Sequence, residues 1–168
     1  GNVLYEYYGS TETGINTCIT PEEILQYPSS VGKAFPDNEI ILLDPDGKEV
    51  PDGERGELYA HGPIMIDYYY KDDDGTKDVY NGKYMTAGDI AIRDKEGYYY
   101  IVDRVKDMII RGGVNIYPAE IESEMNKIPG IKEVAVVGKP DSHFGCNGRY
   151  NKRILCQANG QSKDTGFV

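Results

Sequence analysis

GKYMTAGDIAIRDKEGYYYIVDRVKDMIIRGGVNIYPAEIE, residues 82–122, decides how this chain is read. It holds, in one order, an acid after a tight glycine turn (Thr86-Ala87-Gly88-Asp89) and an acid–arginine pair (Asp103-Arg104). A charged residue (Lys106), two adjacent glycines (Gly112-Gly113) and a proline-led helix start (Pro118) follow. Residues 90–93 and 98–102, around Asp94-Lys95-Glu96-Gly97, predict a strand–turn–strand hairpin. Residues 108–111 predict a further short strand, broken by the two glycines. Pro118 suits the first turn of a helix, and 119–126 has helical spacing with Ile121 and Met125 on one face. Pro129-Gly130 ends that helix, and 134–137 reads as a buried strand.

Working outward, residues 1–14 are a Tyr-rich strand running into a Gly/Ser/Thr turn. Residues 15–36 read as irregular, with Pro21, Pro28 and Pro36 as breakers. Residues 38–44 and 56–61 are strand-like, with turns at 45–48 and 51–53, and the Tyr- and Asp-rich 67–78 is a short helix or loop. Small antiparallel sheets thus give way, after about residue 106, to a strand–helix–strand pattern typical of a separate α+β unit. The boundary is placed at 103–106, so the fold class is α+β.

Composition narrows the function classes. The chain has 168 residues, 39% hydrophobic and 27% charged, within the range of a globular domain. A net charge of -10 argues against a nucleic-acid surface or an anionic membrane face, both of which need clustered Lys and Arg. It does not exclude a nucleotide, which a local cradle of amides and one or two cations can hold. Cys18, Cys146 and Cys156 form no CxxC pair, and His61 and His143 stand far apart. That excludes a disulfide framework, a zinc site and a histidine triad, and suits a reducing, cytoplasmic setting. No apolar run approaches the roughly 20 residues of a membrane span, and the start carries neither a signal peptide nor Met.

Four motifs carry chemistry, each with a plainer alternative. Tyr8-Gly9-Ser10-Thr11-Glu12-Thr13-Gly14 offers hydroxyls for phosphate and a carboxylate for Mg²⁺, or is an ordinary polar turn. Asp89 after its glycine turn can accept both hydroxyls of a ribose, or merely cap the turn. Arg104 can grip phosphate or ribose with its planar fork, or belong to a surface charge cluster. Gly112-Gly113 let a slender ligand arm lie against bare backbone, or make a bulge.

The order and spacing of all four resemble the adenylate-forming superfamily: acyl-CoA synthetases, luciferases and peptide-synthetase adenylation domains. The likeness covers about Tyr5 to Asp141. It implies the antiparallel β-rich end of a large AMP-binding domain over 1–105, then the start of a small, mobile C-terminal α+β domain over 106–145. By the resemblance, Tyr8 lies beside adenine, with Gly9 and Ser10 lining the ATP/AMP site. Thr11 contacts the α-phosphate, Glu12 holds Mg²⁺, and Asp89 and Arg104 bind ribose and phosphate. Lys106 falls at the hinge about which the small domain turns between half-reactions. Gly112 and Gly113 border the tunnel for the CoA arm, and Ile15 to Cys18 border the acyl pocket. The form Gly-Gly-Val-Asn-Ile-Tyr-Pro-Ala-Glu-Ile-Glu favours acid–CoA ligases. The implied substrates are a fatty or aromatic carboxylic acid, ATP and CoA. The alternatives are a peptide-synthetase-type domain loading a carrier protein and a non-catalytic remnant of the fold.

The upstream phosphate-gripping loop and the distal adenylation lysine of such enzymes find no match here. The sequence therefore reads as an internal-to-C-terminal piece, inactive alone. From Cys146 onward the pattern is lost. Residues 146–168 are expected to be an aberrant, disordered tail, as a shifted reading frame would produce.

Overall fold

The computed structural model describes residues 3–111, 113–138, 152–158 and 161–163. The chain divides into two compact units, Gly1–Val102 and Asp103–Val168.

In the first unit, strands β1 (Glu6–Ser10), β2 (Gly14–Ile19) and β3 (Lys33–Ala34) form an antiparallel sheet in that order. Between β2 and β3 lies helix α1 (Pro21–Gln26), in the stretch where the sequence predicts irregular chain. Its cause is a capping box. The Thr20 hydroxyl accepts from the Glu23 amide, and the Glu23 carboxylate accepts from the Thr20 amide. Pro21 sits at the helix start, where its missing N–H costs nothing, so this proline begins a helix rather than breaking one.

The second sheet contains β4 (Glu39–Leu43), β5 (Arg55–His61), β6 (Tyr80–Asn81), β7 (Tyr84–Arg93) and β8 (Tyr99–Arg104). Its order is β4-β5-β7-β6, with β8 also pairing with β7, and α2 (Asp73–Val79) precedes β6. The sheet buries alternate residues, so Leu58 and Ala60 of β5 and Ile40 and Leu42 of β4 enter one apolar core with Val50, Ala91 and Tyr99. Tyr8, Val31 and Ile101 pack against it. Tyr99 also clasps residues 30–32: its carbonyl accepts from the Val31 amide and the Ser30 hydroxyl, and its amide donates to Gly32.

Two register jumps shape the first unit. Between the pairs Tyr8–Thr17 and Gly9–Ile15, β1 advances one residue and β2 two, which makes Asn16 the extra residue of a bulge. Between Glu57–Ile90 and Tyr59–Thr86, β5 advances two residues and β7 four. The segment 87–89, expected as a turn between two strands, is therefore a bulge within one long strand. A Cβ on Gly9 would lie 1.8 Å from the Gly14 carbonyl oxygen, so the first bulge closes only over bare backbone.

The second unit holds the β9 (Ile109–Arg111) and β10 (Val114–Ile116) hairpin, helix α3 (Pro118–Asn126) and β11 (Ile131–Gly138). Sequence reading finds β9, α3 and part of β11 but not β10. Strand β12 (Lys152–Ala158) pairs antiparallel with β11, and β13 (Gln161–Lys163) with β12. Where the sequence pattern predicts a tail without order, these backbones thus form ladders; the rest of 146–168 lies outside the described residues. Among the described residues no helix is long and apolar enough to cross a membrane.

Two outcomes test this packing. Gly9→Ala should destabilise the protein by about 2 kcal/mol or more, because the clash is with backbone; urea unfolding measures it. The second concerns Glu23, whose carboxyl is held below the usual glutamate range by the Thr20 amide and then by the Tyr98 hydroxyl. A depressed folded-state value stabilises the fold above the unfolded-state value and is lost as pH falls through the folded one. Glu23→Gln should therefore melt below wild type at about pH 6, with the gap closing as pH drops below about 4. A gap that stays constant across that range refutes the assignment.

Candidate functional site

The candidate site is built where the two bulges bring loop residues of the first unit together. The loop between β1 and β2 is organised by Ser10. Its hydroxyl accepts from the amides of Glu12 (3.2 Å) and Thr13 (3.0 Å) and bonds the buried Thr13 hydroxyl at 2.9 Å. Ser10 is thus engaged in shaping the turn. Thr11 at the tip is exposed, and Glu12 beside it is half-buried.

The Glu12 carboxylate accepts from the Tyr69 hydroxyl at 3.2 Å, and the Glu12 carbonyl accepts from the Ile66 amide at 2.9 Å. Burial, and then the neighbouring Glu12 charge, raise the Tyr69 phenol above its ordinary range, so it stays a donor. Tyr80 anchors the same segment by donating to the Ile66 carbonyl at 2.7 Å. Tyr69 is a contributor that sequence reasoning misses. Nothing in the run Tyr68-Tyr69-Tyr70 marks the middle ring, yet its two neighbours are exposed and it is not.

Across the unit, the Tyr8 hydroxyl donates to Asp89 Oδ2 at 2.7 Å. These two predicted site residues, 81 positions apart, are therefore in direct contact. Asp89 sits on the β7 bulge directly after Gly88, whose φ of 79° is readily adopted by glycine. The Gly88 amide donates to the Thr86 hydroxyl at 2.9 Å, and that hydroxyl donates to the Glu57 carboxylate at 2.8 Å. Asn16, the extra residue of the first bulge, is 1% exposed, and neither end of its carboxamide has a hydrogen-bond partner.

Arg104, Lys106 and Gly113 belong to the second unit. Arg104 ends β8, and its carbonyl accepts from the amides of Asp107 and Met108, closing a turn that exposes Lys106. The buried Asp103 side chain accepts from the Arg104 amide at 2.8 Å and from Ala119 at 3.2 Å. It supplies α3 with the side-chain cap that Tyr117, at the N-cap position, does not. Glu122 of the same helix accepts from the Val136 amide at 2.7 Å. Gly113 is exposed, and Gly112 lies outside the described residues.

Among the described residues no group of three or more His, Cys, Asp or Glu is placed to hold a metal by itself. The donor set still fits Mg²⁺ as nucleotide enzymes hold it, through one carboxylate, water and the substrate's phosphates. Glu12 is the carboxylate on the loop between β1 and β2, and Tyr69 orients it without neutralising it.

The chain is similar to known proteins in sequence and in fold. Residues 1–70 match the AMP-binding enzyme family. The chain is 41% identical over 145 residues to a long-chain-fatty-acid–CoA ligase of Escherichia coli O6:H1, covering 86% of this chain and 26% of that protein. It is 35% identical to a feruloyl-CoA synthase of Amycolatopsis sp, covering 98% of this chain and 33% of the relative. Among solved structures, o-succinylbenzoate coenzyme A synthetase (MenE) from Bacillus subtilis, in complex with ATP and magnesium ion, superposes with a TM-score of 0.75 at 31% identity. That match covers 89% of this chain and 30% of the other. The chain thus spans about a quarter to a third of the length of the proteins it matches. Sequence and fold thus share the pattern of the adenylate-forming superfamily of AMP-binding enzymes, and the curated relatives named here are acid–CoA ligases.

Proposed function

We propose that this chain carries part of the nucleotide site and the domain joint of an ATP-dependent acid–CoA ligase acting in the cytoplasm. The observation that carries the reading is the Tyr8–Asp89 contact, which joins the Gly/Ser/Thr/Glu loop to the acid of the glycine-turn motif. Two motifs that share a ligand must share a place, and these two do.

In this reading the acid's carboxylate oxygen attacks the α-phosphorus of ATP, the bond to the β-phosphate breaks, and pyrophosphate leaves. The CoA sulfur then attacks the acyl carbon of the adenylate, its proton passes to solvent, and AMP leaves. Tyr8 lies against adenine while its hydroxyl stays on Asp89. Asp89 accepts from the ribose hydroxyls, since a carboxylate offers about four acceptor sites. Thr11 donates to the α-phosphate, Gly9 and Ser10 give the loop its shape, and Glu12 carries the metal. Mg²⁺, when bound, neutralises charge on the phosphates. Arg104 adds a fork for ribose and phosphate, Lys106 is the pivot between half-reactions, and Gly112 and Gly113 flank the CoA arm.

Fatty and aromatic acids are the substrate classes favoured, because relatives named for long-chain fatty acids and for a feruloyl group match at similar identity. The buried, unpartnered Asn16 carboxamide lies in the stretch assigned to the acyl pocket. An unmet polar group there costs roughly 1–3 kcal/mol, which a polar contact from substrate or water offsets.

The test uses the full-length protein. Acid-dependent exchange of pyrophosphate into ATP, followed by CoA thioester formation over a panel of fatty and aromatic acids, is the expected result. Glu12→Gln and Asp89→Ala should each lower kcat/KM by about 100-fold, the scale of losing one preorganised electrostatic contact. Wild-type exchange without thioester formation on CoA would overturn the ligase assignment, and unchanged rates in both variants would overturn the site.

A further inference from the structure

We propose that Glu57 is a positioning residue for nucleotide binding, acting through the Thr86 hydroxyl to hold the bulge that presents Asp89. The inference rests on the reading of Asp89 as the ribose-binding acid and goes beyond it, because Glu57 lies on a different strand and outside every motif of the site.

The geometry is a relay through one oxygen. Thr86 Oγ1 donates to Glu57 Oε1 at 2.8 Å and accepts from the Gly88 amide at 2.9 Å. A hydroxyl has one proton to give and two lone pairs to receive with. Spending the proton on a carboxylate orients a lone pair toward Gly88 and strengthens it as an acceptor, since charge-assisted bonds polarise their neighbours. Thr86 is 7% exposed, so water competes little for this oxygen. Gly88 is the residue whose left-handed φ turns the chain into Asp89.

The register shows why a brace is needed. From Glu57–Ile90 to Tyr59–Thr86 the two strands advance by two and four residues, so the regular ladder does not carry through 87–89. Glu57 and Thr86 are pairing residues at the two edges of that jump. Their side-chain bond therefore spans the bulge from one end to the other. The Asp89 carboxylate also accepts from the Tyr8 hydroxyl. The relay thus holds Gly88, the residue before Asp89, while a phenol holds the Asp89 carboxylate itself.

A brace of this kind affects only the part of the ligand that Asp89 touches. The experiment measures equilibrium binding of ATP and of 2′,3′-dideoxy-ATP to the full-length protein by calorimetry. It compares wild type with Thr86→Val, Thr86→Ser, Glu57→Ala and Glu57→Gln, each checked for a wild-type melting profile. Wild type should prefer ATP. Thr86→Val and Glu57→Ala should weaken ATP binding by about tenfold. The same variants should leave dideoxy-ATP within about twofold of wild type. Thr86→Ser keeps the hydroxyl and Glu57→Gln keeps an acceptor, so both should retain the preference. Valine is close to isosteric with threonine, which keeps the test valid if Glu57→Ala unfolds. Equal losses for both nucleotides, or full discrimination in Thr86→Val, overturn the positioning role while leaving the nucleotide site intact. A wild type that binds neither nucleotide, or both equally, overturns the reading of Asp89 itself.

Discussion

A hydrogen bond between residues 81 positions apart, from the Tyr8 hydroxyl to Asp89, ties together the two bulges of the first unit. Each partner sits beside a place where regular pairing fails, Tyr8 before the bulge of β1 and β2 and Asp89 on the bulge of β7. A bulge re-aims a side chain but leaves it poorly restrained by its own ladder. Tyr8 makes up for this because its ring packs on the core formed by Ile40, Leu42, Leu58 and their neighbours. The position of the core thereby reaches the carboxylate through one rigid ring, which has only two side-chain torsions to order. Precision at a ligand site requires such support from a packed element.

The same physics explains what could be read from the sequence. Strand β5 shows its period of two in the sequence, with Leu58 and Ala60 facing the core, while β4 is legible as a short apolar run between turn residues, of which Ile40, Leu42 and Leu43 are buried. Helix α1 was hidden because Pro21 carries two meanings, and only the Thr20–Glu23 box selects the helical one. Strand β10 has three residues, too few to show any period. The β7 bulge looks like a turn because Gly88 is there, and the pairing that keeps β7 continuous comes from β5, more than 25 positions upstream. As for the site, no property of Tyr8 or Asp89 in the sequence alone predicts their contact. The likeness to adenylate-forming enzymes implies a shared nucleotide for the two, and the hydrogen bond between them is seen only in the fold. That likeness marked Asn16 only as part of the stretch 15–18 and offered no guide to Tyr69 or Glu57, whose roles follow from which way a strand or loop faces after folding.

The phenols answer a problem set by composition. With 28 acidic side chains against 18 Lys and Arg, the chain has too few cations to pair each carboxylate. Tyrosine, at 15 copies, takes up part of that work: Tyr8 holds Asp89, Tyr69 holds Glu12, Tyr84 holds Glu39, Tyr98 holds Glu23 and Tyr100 holds Asp94. A phenol orients a carboxylate as well as a lysine does, through one strong directional bond, while its ring contributes apolar packing. It differs in leaving the carboxylate's charge in place. For Glu23 and Asp94, which bind only protein, that difference matters little. For Glu12 and Asp89, in the proposed function, it decides what the site can bind. An arginine in the place of Tyr69 would neutralise the charge that a divalent cation needs, and a lysine in the place of Tyr8 would put a competing cation where ribose hydroxyls are to donate. In the proposed function, the Tyr8 and Tyr69 phenols orient the two acids and leave their charge in place for the ligand.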